Sequence, residues 1–214
     1  MDVNEKIESA TVHQLIRWWN GDDVPEGSQD SSLSLYKLVT ALGRKGNEGI
    51  AFLRTQIEAE DLHKRYLALS RLAQPETVDE RVIQCLVEAF CFPPSLDVKI
   101  ASGFKILALD GLVRIGHYPL HRGEVETLLE DNDPWLAAAA MVYLSHAFEP
   151  EAVAILKAGL ESDNQIMRGH ACAEVGSRRI LPLKGRVIGL LNDADDYVAR
   201  AAQIACDLLD YPLP

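Results

Sequence analysis

LLEDNDPWLAAAAM (residues 128–141), GLESDNQIMRGHAC (159–172) and LLNDADDYVARAAQ (190–203) write one pattern three times, 31 residues apart. Leu129, Leu160 and Leu191 fall in step, as do Leu136, Met167 and Val198, and Ala140, Ala171 and Ala202. Val125, Leu156 and Val187 extend the register backwards, and Leu144, Val175 and Cys206 extend it forwards. A fixed period with apolar identity at matching phases marks a solenoid, because a helical hairpin cannot bury both faces alone and stacked neighbours share one continuous core.

Working outward, the 3.6-residue apolar period predicts helices at about 9–20, 33–41 and 47–58. It continues at 61–73, 77–91, 96–116, 119–131, 134–147, 150–161, 164–177, 181–191 and 195–209. Pro134, Pro150 and Pro182 fall in first turns, where a missing N–H costs nothing. Pro75, Pro93, Pro94 and Pro119 fall in connections, and Gly116 and Gly176 stand where helix C-caps are expected. The phase of Leu136 is matched by Val98, then Leu62, then Leu33. Asp133, Asp163 and Asp195 are expected to cap the helices that follow them. Residues 20–32 read as a polar loop, with Ser31 or Ser32 as the next N-cap. The expected fold is all-α, a right-handed α-α superhelix of about five to six hairpins. Residues 1–32 would form an N-terminal helix and polar loop capping a single solenoid domain over 33–214.

The chain carries 32 acidic and 21 basic residues, a net charge of −11, and acid exceeds base in every third of it. Such a field repels polyanions and favours a basic partner. The expected partner is therefore another protein with a basic surface, rather than nucleic acid or membrane. No apolar run nears the roughly 20 residues of a membrane span, and the polar start MDVNEKIESA has no leader character, which places the chain in a cytoplasm. Cys85, Cys91, Cys172 and Cys206 have no metal-ligand spacing and read as small core residues in a reducing compartment.

No catalytic motif is legible, and no cofactor or metal site is expected. His117 and His121 are four apart, but Pro119 breaks the helix a zinc pair would need. His13, His63, His146 and His170 stand alone in the sequence. Of the adjacent Trp18 and Trp19 only one can face a core, leaving the other as a potential anchor. Arg178, Arg179, Lys184 and Arg186 form the one basic cluster.

The turn-helix pieces DNDPWLAAAA, DNQIMRGHA and DADDYVARAA resemble HEAT repeats, specifically the short bacterial type also found in phycobilisome lyases. The resemblance is good over 128–209, fair over 61–127 and weak over 1–60. It implies that second helices line a concave surface. On those helices, opposite the Val125, Leu128 and Leu129 face, lie Gly123, Thr127 and Glu130. One repeat on are Ala154, Ala158 and Glu161; two on are Gly185 and Gly189. These residues form a smooth, small-residued lane, either a curvature device or a partner-binding floor. The expected function is a non-catalytic protein-binding module, in its sharper form an immunity or inhibitor protein neutralising a toxin or enzyme. The alternatives are a chromophore lyase or chaperone, or a HEAT-like DNA glycosylase.

The alanine register carries its own test. Ala140→Leu overpacks the contact between repeats, and the expected loss of roughly 1–3 kcal/mol is read as a lowered melting temperature.

Overall fold

The computed structural model describes residues 3–24, 31–91 and 98–210. Every regular element among them is helical. They are α1 (Val3–Ser9), α2 (Val12–Trp19), α3 (Ser31–Arg44), α4 (Gly46–Gln56), α5 (Leu62–Leu72) and α6 (Glu80–Phe90), then α7 (Val98–Ile115) and α8 (Arg122–Glu126). After these come α9 (Pro134–Ala147), α10 (Ala152–Leu160), α11 (Gln165–Ser177), α12 (Lys184–Gly189) and α13 (Asp196–Asp210). They are the tandem hairpins of an α-solenoid. Of the sequence expectations, residues 25–30 of the polar loop, the side chains of Ser31, Ser32 and Leu33, and Pro93 and Pro94 lie outside the described residues. The contacts divide the chain into two compact units, Met1–Ala89 and Phe90–Pro214.

The first unit is organised on Leu15, Trp19, Leu42, Leu53, Ile57, Leu69 and Leu72, all fully buried. Trp19 is the tryptophan that enters the core. Its indole Nε1–H donates to Gln56 Oε1 at 3.0 Å, so the buried donor is satisfied. Trp18 is half-buried. Helix α1 is absent from the sequence reading, because so short and polar a segment shows no apolar period. It is held by burial of Ile7 and Ala10 and by the capping box that starts α2. There Thr11 Oγ1 accepts the Gln14 N–H, and Gln14 Oε1 accepts the Thr11 N–H at 2.9 Å.

In the second unit the 31-residue period has a precise chemical content. Asp131, Ser162 and Asp193 each accept, through a side-chain oxygen, the backbone N–H two residues on, at 2.8, 3.2 and 2.9 Å. Those residues, Asp133, Asn164 and Asp195, are themselves N-caps. Asp133 accepts from Trp135 and Leu136, Asn164 from Ile166 and Met167, and Asp195 from Tyr197 and Val198. The middle cap is therefore Asn164 and not Asp163. The repeat itself demands this, since 31 residues separate Asn164 from each of the other caps, and an asparagine oxygen caps as well as a carboxylate.

Helix α9 is the centre of this unit. Leu136 to Ser145 are all buried, because α7, α10 and α11 cover it from different sides. Ala138, Ala140, Ala171 and Ala202 are fully enclosed and Ala201 partly so. Buried Tyr143 accepts the Leu120 N–H through its hydroxyl at 3.0 Å, which pins the long connection between α7 and α8. Val98 breaks the proposed phase: it is 72% exposed while Leu136 is 1%. Helix α7 is 18 residues long against 14 for α9, so its first turn overhangs, and its first buried position is Ala101.

Two helix ends differ in kind. Gly116, at φ +69, ends α7 with bonds from its own N–H to Val113 and from His117 to Leu112, the Schellman pattern. Gly176 does not end α11. The same bonds run there from Arg179 to Gly176 and from Ile180 to Val175, and Arg179 takes the left-handed turn at φ +54. Gly176 is needed elsewhere: a Cβ on it would lie 2.6 Å from the Ala205 Cα of α13.

A largely buried ion pair helps tie successive repeats. Arg168 Nε and Nη2 donate to the two oxygens of Asp193, each at 2.9 Å, and its Nη1 donates to the Ser162 and Asp163 carbonyls. The Arg168 guanidinium, followed by the Asp195 N–H, holds the Asp193 carboxyl below its ordinary range. A depressed carboxyl stabilises the fold above its unfolded pKa and loses that contribution as pH falls through its folded value. Asp193→Asn should therefore cost about 1–3 kcal/mol at neutral pH. The gap to wild type should close as pH drops below about 4, which denaturant titrations at several pH values will measure.

Candidate functional site

The small-residue lane is exposed throughout. Gly123, Thr127, Glu130, Ala154, Ala158, Glu161, Gly185 and Gly189 all point away from the buried Val125, Leu156 and Val187. A Cβ built on Gly185 or Gly189 meets nothing within 4 Å, so no close helix contact accounts for either glycine. The glycines that do allow close approach are others: Gly159 under Met141 and Ala171, Gly169 under the Tyr197 ring, and Gly176 against Ala205. At the upstream end, Gly123 and Thr127 border a depression of about 500 Å³ lined also by Phe90, Cys91, Lys105 and His121.

The basic cluster does not survive folding as a cluster. Arg178 donates to the Ser145 carbonyl and hydroxyl, capping the end of α9, and Arg179 donates to the Leu209 carbonyl. Lys184 pairs with Asp210 and Arg186 with Glu161. Each cation is matched within the unit.

The first helices carry the more structured surface. Trp135, Ile166 and Tyr197 occupy the second position of α9, α11 and α13, one repeat apart. Trp135 is 50% exposed and Tyr197 39%, both large apolar groups left in solvent. Their rings converge on α11. Trp135 stands edge-to-face with His170 at 5.7 Å, and Tyr197 lies across Gly169. This row was not legible as a site because each member reads as an ordinary core position of an amphipathic helix.

Asp110 of α7 is solvent-exposed, yet enough protein surrounds it that burial raises its carboxyl above the ordinary range, against the pull of His170 and Arg114. Burial likewise lowers His170, which Asp110 and Glu174 oppose. Asp110 and His170 thus bear on each other's ionisation through space. His146 Nε2 lies 2.8 Å from Glu174 Oε2, Tyr118 stacks on His146, and Arg178 stands 3.9 Å from Glu174. His146 and His170, isolated in the sequence, are thus both placed on this face.

The remaining candidates resolve as packing. Cys85, Cys172 and Cys206 are buried, and burial pushes the Cys172 thiol up to about 12, leaving it protonated and unreactive at neutral pH. Cys91 is exposed, contrary to its expected core place, because it falls just past the end of α6. Among the described residues no group of three or more His, Cys, Asp or Glu is placed to hold a metal ion, and no helix is long and apolar enough to cross a membrane.

No protein-family model matches the chain, and no curated protein matches it. Among solved structures it is similar to a designed armadillo repeat protein, at 16% identity and a TM-score of 0.44, over 94% of this chain and 100% of that one. The fold assignment rests on the helix packing described above.

Proposed function

We propose that this chain is a non-catalytic protein-binding module built on a HEAT-like solenoid of the short bacterial type, with the first-helix face of its second unit as the binding surface. The observation that carries the reading is the half-exposed Trp135, set in line with Ile166 and Tyr197 on three consecutive repeats. A rigid indole presented on a scaffold of fixed spacing is the commonest kind of energetic anchor in protein interfaces. The nearby ionisable groups favour binding over catalysis, since His146, Glu174 and Arg178 are engaged with one another. The net charge of −11 suits a basic partner, and an immunity or inhibitor protein acting on a basic toxin or enzyme is the sharper form of this reading. The exposed lane of Ala154, Ala158, Gly185 and Gly189 is the competing surface.

The test is affinity capture from the cells that make the protein, followed by binding kinetics with the purified partner. Trp135→Ala should weaken binding by about tenfold or more, and Ala158→Arg should leave it unchanged. Loss of binding in folded Ala158→Arg alone would move the site to the lane. Failure of every purified candidate to bind would reject the module reading.

A further inference from the structure

Helix α13 presents an apolar stripe that its own unit leaves open. Tyr197, Ala201, Ile204 and Leu208 recur at spacings of four, three and four, so they line one side of the helix. Tyr197 is 39% exposed, Ile204 60% and Leu208 42%, with Ala201 partly buried between them. The core side is separate, and carries Val198, Ala202, Ala205, Cys206 and Leu209. One repeat back, on α11, Ala173 and Ser177 stand where α13 has Ile204 and Leu208, and both are exposed there. Large apolar groups thus replace small ones at outward positions. A contiguous exposed apolar stripe marks a contact surface, whereas the end of a solenoid ordinarily presents polar groups. The charges beside the stripe indicate what it contacts. Arg200 and Asp207 are exposed on one flank of it, seven residues apart, which is about 10 Å of rise and too far for them to pair with each other. Among the described residues neither has an ion-pair partner. Arg200 Nε donates to the Asp196 carbonyl at 3.3 Å, and Asp207 accepts from Gln203 Nε2 at 2.9 Å.

We propose that this stripe pairs α13 with the α13 of a second copy of the chain, antiparallel and about a twofold axis. That pairing sets Tyr197 against Leu208 of the second copy, and Ala201 against its Ile204. It also brings the two charged flanks to the same side, where each Arg200 meets the Asp207 of the other copy. Their levels differ by two residues, about 3 Å of rise, which an arginine side chain spans. A twofold axis therefore makes two ion pairs from one arginine and one aspartate. Parallel pairing would set like charge against like. A wholly basic surface would leave Arg200 opposed and a wholly acidic one would leave Asp207 opposed, so a second copy suits the flank better than either. Three large side chains fall well short of the roughly 800 Å² per partner of a standard interface, and the dimer is accordingly weak and concentration-dependent. The net charge of −11 on each copy opposes approach at long range, but salt near 0.15 M screens that repulsion beyond about 8 Å. Tyr197 belongs both to this stripe and to the row proposed for a partner protein, whereas Trp135 belongs to the row alone, so the dimer does not rest on that reading.

The test is sedimentation equilibrium of the full chain over a concentration series at about 0.15 M salt. The average mass should rise with concentration toward that of a dimer. Ile204→Glu should stay monomeric over the same range while its helical circular dichroism is unchanged. Arg200→Asp and Asp207→Arg, both at exposed positions, should each weaken self-association at least about tenfold, because each sets like charges together at both ends of the contact. An equimolar mixture of these two variants should recover the dimer, since the mixed pair again sets opposite charges together. Trp135→Ala should leave self-association unchanged even where it weakens capture of a partner protein, which keeps the two readings separable. A monomer at every concentration would overturn the proposal, and so would a dimer indifferent to Ile204→Glu. A mixture no tighter than its components would overturn the antiparallel pairing. A monomeric chain whose captured partner is lost in Ile204→Glu would assign the stripe to that partner instead.

Discussion

The second unit depends on a turn in which one side-chain oxygen does the work of a missing helical turn. The first N–H groups of a helix have no intrahelical partner. At Asp131, Ser162 and Asp193 a side chain binds the N–H of the coming cap, and the caps Asp133, Asn164 and Asp195 bind the next two exposed N–H groups. Chain direction is thereby set at the same place in each repeat. Asp193 has a second duty, because Arg168 of the preceding repeat grips both of its oxygens. The turn and the stacking of repeats are coupled through that one carboxylate, which is why it is nearly buried and why its neighbours hold it ionised.

Close stacking follows from side-chain size. The run Ala137 to Ala140 keeps α9 thin, and glycines at 159, 169 and 176 admit Met141, Tyr197 and Ala205. With so little side chain between them, α9 and α11 pack closely, and Trp135 of one meets His170 of the other edge-to-face. On the second helices the same repeat leaves small groups in open solvent, where Gly185 and Gly189 touch nothing. One period produces a crowded face with aromatic groups and an uncrowded face with none.

Charge separates these faces further. Arg178, Arg179, Lys184 and Arg186 look like a basic docking patch in one dimension, but folding sets each against an acid or a carbonyl. An acid excess of eleven charges then acts at long range, where it steers basic partners and repels polyanions.

The 31-residue period, with apolar positions at helical spacing and no strand alternation, determined an all-helical solenoid and its core phases over residues 128–209. Leu136, Val198, Ala140, Ala171 and Ala202 are buried as that register requires. It also implied caps, though the middle one needed strict counting to fall on Asn164. Where the period is irregular the reading weakened: Val98 is exposed because α7 is a turn longer, and α1 went unseen because its segment is short and polar. Tertiary structure alone decided the rest. Trp135 and His170 are 35 residues apart in the chain and meet only because α9 and α11 pack side by side. No local pattern encodes such a meeting, since each residue satisfies its own helix and the contact exists only between the two.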